Sequence, residues 1–344
     1  MNKFLKVLAL RILIFLIVIV GIFFIKLPRN YYFAIPKNTD YSKISWIENK
    51  LNTLSNLDSS IIFVGSSICL NGINDSLLNS WDSSSTSYLN FGLSHTCYAI
   101  IDATLEDIVE RRKLRPKKVI LCFKGDAMAR NIHKMYPLAA STEHILNSGI
   151  DGNMLFLPSF LRRTSWNIHY MSSKFKLDEG EPSLEFKSTF GYQPQKFIDS
   201  TEVERSYKGL KAGAEANFLA IERAVQGEPA GIKTKLVHAK GDYLENIKYQ
   251  RTSFENTAAM LDRNNIDYDI LVYPNIVSAR MDKSHLMGEY VKYTFKNIDY
   301  EKHKVITIDD PAFKKSSLYT DSNHLNPDGS KKLTALVYSF LQQN

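Results

Sequence analysis

The chain has 344 residues, 44% of them apolar and 12% aromatic, enough to bury one large core or two small ones, and its composition excludes collagen-like and bulk-disordered classes. The net charge of +7 is uneven: Lys3, Lys6, Arg11, Lys26, Arg29 and Lys37 precede Asp40 without a single acid, which leaves 37 basic against 36 acidic residues elsewhere. The basicity therefore belongs to the N-terminal segment, and no lysine–arginine stripe of the kind a nucleic-acid binder needs is present.

The first element is "MNKFLKVLALRILIFLIVIVGIFFIKLPRN". Ile12 to Ile25 is fourteen residues without a charge, and adding Val7 to Leu10 with a snorkelling Arg11 approaches the ~20 residues a bilayer requires. A cleaved signal peptide would end in small residues at an A-x-A-like site; here Lys26, Leu27, Pro28 and Arg29 follow, so residues 1–30 are read as an uncleaved, single-pass anchor in the lipid bilayer. Basic residues flank both ends and bias the orientation weakly. A large domain behind one N-terminal anchor is expected outside the cytoplasm.

Residues 31–59 read as a connector carrying a short helix around "YSKISWIENKLNTL". From Ser60 the pattern alternates. "SIIFVG", "SYLNFG" and "KKVILCF" are apolar runs of strand length, and "YAIIDATLEDIVERRK" places Ile100, Ile101, Leu105, Ile108 and Val109 at helical spacing. The alternation resumes near Asn246: helix "NIKYQRTSFENTAAMLDRNN", strand "DYDILVYP", helix "MDKSHLMGEYVKYTFKN", strand "HKVITID" and a closing helix "DGSKKLTALVYSFLQQ". Unbroken apolar strands separated by helices predict an α/β domain over 60–344 with a central parallel sheet. Between about 132 and 245 the alternation fails. That stretch reads as a helical and irregular insertion over the open end of the sheet, with one helix in "TEVERSYKGLKAGAEANFLAIERAV".

The three cysteines, Cys69, Cys97 and Cys122, form no CxxC and no zinc-spaced cluster. They read as buried free thiols, with Cys69 and Cys97 the first pair to test for a disulfide in an exported domain. No metal or organic cofactor is indicated.

In a parallel α/β sheet, ligands bind beyond the carboxyl ends of the strands. Ser66 and Ser67 lie at such an end, as do Asn90 with Gly92, and Gly125 with Asp126. A serine opening a helix exposes its hydroxyl beside backbone N–H groups that stabilise negative charge, but as a nucleophile it needs a base and an orienting acid. "DSNH" supplies both: Asp321 and His324 are three apart, a spacing that puts them on one side of a helical turn.

In these motifs the chain resembles the SGNH (GDSL-type) hydrolases, over Ser60–Cys122 and Asp267–Leu341. The "GSS" in place of Gly-Asp-Ser, together with the anchor, is most similar to membrane-anchored members such as the D-alanyl transfer protein of teichoic acid synthesis and the alginate O-acetylation proteins. The resemblance implies a flavodoxin-like three-layer sandwich. It implies Ser67 as nucleophile, His324 as base, Asp321 as its orienting acid, and the N–H groups of Ser67 and Gly92 as oxyanion donors, with Ser66, Gly125 and Asp126 lining the pocket. The family's third block is usually Gly-x-Asn, whose Asn donates to the oxyanion; here it reads Gly125-Asp126-Ala127, and an ionised Asp cannot donate. Losing one donor costs ~10²–10³ in rate, and Asn71 is a candidate substitute. The activity implied is serine O-acyl transfer or ester hydrolysis on a cell-envelope polysaccharide, beside a membrane-bound O-acyltransferase partner. The alternative is a catalytically silent member that binds glycan or holds an assembly together.

Overall fold

The computed structural model describes residues 2–25, 40–94, 97–123, 160–168 apart from 162 and 166, 200–227 and 242–343. The chain forms two compact units, one of Met1–Thr53 with Lys134–Phe186 and one of Leu54–His133 with Lys187–Asn344.

The first unit contains helix α1 (Asn2–Phe23), whose stretch Phe4–Phe23 is long and apolar enough to cross a membrane. Its side chains from Phe4 to Val18 are exposed. Helix α2 (Asp40–Thr53) follows within the expected connector; residues 31–39 of that connector lie outside the described residues.

The second unit is α/β. Its strands are β1 (Ser60–Val64), β2 (Ser87–Asn90), β3 (Lys118–Phe123), β4 (Asp267–Val272) and β5 (Val305–Thr307). All pair in parallel, in the order β2-β1-β3-β4-β5. Helices α3 (Ser67–Gly72) and α4 (Asp75–Trp81) follow β1, and α5 (Tyr98–Glu106) follows β2, running on into a π-helical turn at Asp107–Arg111. The remaining helices are α6 (Ser200–Val225), α7 (Asp242–Arg263), α8 (Ile276–Arg280), α9 (Ser284–Thr294) and α10 (Pro327–Gln342). Most of the insertion expected at 132–245 lies outside the described residues.

Strand side chains alternate between faces, so β1 contributes Ile61 and Phe63 to one side and Ile62 and Val64 to the other. All of β1 is buried, as an apolar run covered on both faces must be. Ile61, Phe63, Ile120, Cys122 and Leu271 share a core with Ile68 of α3, Val203 and Phe218 of α6, Ile276 of α8 and Leu333 and Val337 of α10. On the other side Phe123 stacks on Tyr98 of α5, ring centroids 6.0 Å apart, and Tyr98 meets Phe254 of α7 edge-on at 5.0 Å. All three cysteines are free and buried.

Candidate active site

Strand order reverses direction at β1: the chain steps one way to β2 and then crosses to β3 on the other side. A crevice opens beyond the carboxyl ends at such a switch point. The residues that leave β1 there are Gly65, Ser66 and Ser67.

Gly65 is dictated by packing. A Cβ on it would lie 2.7 Å from Cβ of Cys122 and 2.8 Å from Cβ of Cys69, closer than side-chain carbons approach. The turn is therefore tight, and Ser67 becomes the first residue of α3. The two serines then diverge. Ser66 holds the N-cap position without a side-chain cap, and its hydroxyl is buried with no hydrogen-bond partner among the described residues. Ser67 Oγ lies 2.8 Å from His324 Nε2.

His324 comes from the loop before α10, and the loop is built by its own side chains. Asp321 Oδ1 accepts the backbone N–H groups of Asn323 at 2.7 Å and of His324 at 2.8 Å. Thr320 N–H donates to the His324 carbonyl at 2.9 Å, beside an antiparallel bridge from Tyr319 to Leu325. The expected helical turn is thus replaced by bends around an aspartate that takes the backbone N–H groups for itself. Helix formation waits until Pro327 because the residue before a proline is driven to extended backbone, as Asn326 is at φ −79°, ψ −180°. Asn326 then caps α10 by accepting from Gly329 N–H.

The second Asp321 oxygen lies 2.8 Å from His324 Nδ1. A carboxylate only accepts, so Nδ1 carries the proton and Nε2 presents its lone pair to the Ser67 hydroxyl. Burial alone would push the Asp321 carboxyl up; the hydrogen bond and attraction from the His324 imidazole and the two backbone N–H groups together outweigh it and hold the carboxyl below its ordinary value. It therefore stays ionised and keeps the tautomer.

Three further bonds fix the His324 loop and the start of α10 in place. Ser330 Oγ donates to the Gly72 carbonyl at 3.0 Å, Asn74 N–H to Thr334 Oγ1 at 3.0 Å, and Leu325 N–H to the buried Tyr273 hydroxyl at 3.3 Å. The first two join the α3–α4 corner to the first turns of α10, the element that begins just after His324.

The oxyanion side differs from expectation. Gly92 lies against α3, where a Cβ would sit 2.4 Å from the Leu70 nitrogen, but its N–H donates to Asn90 Oδ1 at 2.9 Å and is not held out for a ligand. The reason is Asn90, wholly buried at the end of β2. Its Nδ2 donates to the carbonyls of Cys69, Leu70 and Ile73 at 2.9, 3.3 and 2.7 Å. This leaves Oδ1 facing the glycine. The Ser67 N–H, at the start of α3, bonds no acceptor among the described residues. Asn71 is one helical turn beyond Ser67, on the same face of α3, and is 4% exposed. Gly125 and Asp126 lie outside the described residues.

Sequence reasoning misses what Asn90 and Tyr273 do here. The available signal is a polar residue closing an apolar strand and a tyrosine just past the end of β4, and neither pattern specifies a distant partner.

Comparison with known protein families finds no matching family model, and comparison with curated proteins finds no significant match.

Proposed function

We propose that the chain is a membrane-anchored serine acyltransferase or esterase of SGNH type, a flavodoxin-like three-layer sandwich acting on a cell-envelope polysaccharide outside the cytoplasm. One observation carries the reading: the Ser67 hydroxyl meets His324 Nε2 at 2.8 Å while Asp321 holds the opposite ring nitrogen at 2.8 Å. The strand order and the position of the serine at the reversal point support the same family.

Ser67 Oγ attacks the carbonyl carbon of an acyl ester as His324 Nε2 takes the hydroxyl proton. The tetrahedral oxyanion is met by the Ser67 N–H, with the Asn71 carboxamide as a second donor in place of the third-block Asn. Collapse breaks the bond to the leaving alkoxide, which receives the proton from Nε2. In the second half, a glycan hydroxyl or water gives its proton to Nε2 and attacks the acyl-serine; the acyl–Oγ bond breaks, Nε2 returns the proton to Ser67 Oγ, and the transferred ester or the free acid is released. No cofactor enters this scheme. The apolar helix α1 supplies the attachment to the lipid bilayer, and a membrane-bound O-acyltransferase would deliver the acyl group.

The test is turnover of 4-nitrophenyl acetate by the full chain in detergent, with and without an acceptor oligosaccharide. Ser67→Ala is expected to lose about 10³-fold or more, and acceptor acylation separates transfer from hydrolysis. A second reading, a silent glycan-binding or assembly protein, is favoured by the Gly92 N–H being bonded to Asn90. A folded wild type that retains glycan but turns over no ester would select it.

A further inference from the structure

The last turn of α1 has a partner within its own unit. Phe23 is 1% exposed, although Phe24 beside it is 51% exposed. The Phe23 ring packs on Phe160 with centroids 4.8 Å apart, and the Arg163 guanidinium sits 5.5 Å from its centre. Asn167, wholly buried, donates from Nδ2 to the Ile22 carbonyl at 2.7 Å and the Ile25 carbonyl at 3.5 Å. Carbonyls in the last turn of a helix have no intrahelical donor, and at the edge of a hydrocarbon layer little water is present to replace one. Asn167 supplies a side-chain donor to both carbonyls, that of Ile22 also accepting the Ile25 N–H at 3.2 Å.

The described residues between 160 and 168 are helical, and their exposure follows the helical period. Thr164 and Asn167 are buried, on the side that meets α1, whereas Leu161 is 55% and Ile168 45% exposed on another side, seven positions apart. Two large aliphatic side chains on one helical face are open to an apolar partner, and the position of the segment points to one. Phe4–Phe23 is 20 residues, about 30 Å at 1.5 Å per residue, the thickness of a bilayer core. Phe23 then marks one boundary of that core. A segment packed ring-to-ring on Phe23 lies at the same depth, where aliphatic side chains meet acyl chains.

We propose that the described part of the helical segment from Phe160 to Ile168 makes a second membrane contact, with Leu161 and Ile168 in the acyl-chain boundary of the leaflet in which α1 ends. This rests on α1 spanning the bilayer. The consequence is that the anchor is a braced foot rather than a lone tether: a chain segment far from the N-terminus fixes the end of α1 at the surface.

The test uses the full chain in nanodiscs of phosphatidylcholine and phosphatidylglycerol, with a nitroxide on single introduced cysteines. The variants are Leu161→Cys and Ile168→Cys, with Ile14→Cys as the lipid reference and Lys331→Cys as the water reference. The native cysteines are buried, and labelled wild type gives the background. Collision with oxygen, which concentrates in lipid, is compared with collision with a chelated nickel ion, which stays in water. The proposal expects oxygen-to-nickel ratios at 161 and 168 several-fold above that at 331. Nickel-dominated collision at 161 and 168, with position 14 still lipid-like, overturns the second contact and leaves the anchor standing. Nickel-dominated collision at position 14 as well overturns both. If Leu161→Cys does not fold, Ile168→Cys alone separates these outcomes.

Discussion

Asn90 divides one carboxamide between the carbonyls at the end of α3 and the N–H of Gly92. Removing it leaves buried donors and acceptors without partners, each costing about 1–3 kcal/mol. Asn90→Ala is expected to lower stability by about 3 kcal/mol or more, read from the urea midpoint of the full chain in detergent; a change below about 0.5 kcal/mol would contradict its role. Ser67, His324 and Asp321 are legible in sequence because their chemistry is carried by residue type in a fixed order along the chain. Asn90 is not, because a buried amide is defined by what surrounds it. Gly92 is legible as a close approach and misleading as a donor, since the residue that takes its N–H is visible only once α3 folds back over β2.

At the scale of elements, the long helix α6 is fastened to α8 by charge. Arg280 donates to both Glu204 oxygens, at 2.7 Å for one, and to the Lys314 carbonyl at 2.7 Å, with its guanidinium 4.6 Å from the Tyr207 ring centre; Lys283 pairs with Glu222 of the same helix. The Arg280 hydrogen bonds lower the Glu204 carboxyl from 4.5 to about 2. A carboxyl depressed in the folded state stabilises it above the unfolded value and loses that contribution as pH falls from about 4.5 towards 2. Glu204→Gln should therefore be less stable than wild type at pH 7, with the gap clearly narrowed at pH 3 and closing only towards pH 2. A gap that persists or widens in acid, in urea titrations at the two values, would contradict the linkage. The strands and the long helices are legible because continuous apolar runs and 3.6-residue periods survive without knowledge of partners. The short helices α4 and α8 are not: five to seven residues are too few to display a period, and each is held by an asparagine cap, Asn74 or Asn275. The turn at Asp321 reads as helical in sequence because a spacing of three suits a helix and an aspartate-closed bend equally.

Across the whole molecule, the site exists because a parallel sheet brings the end of its first strand and the start of its last helix to one rim. Ser67 and His324 are 257 residues apart in sequence, and no local signal joins them. Their meeting depends on the order of the strands and on the bonds from Ser330 to Gly72 and from Asn74 to Thr334.

The central claim is that His324 and Asp321 make Ser67 a nucleophile. The most direct measurement is peptide mapping by mass spectrometry after exposure of the full chain to a fluorophosphonate. One phosphonyl adduct on Ser67 is expected in wild type, absent in Ser67→Ala and strongly slowed in His324→Ala. An unmodified Ser67 in a folded wild type, or an adduct that forms equally fast without His324, would contradict it.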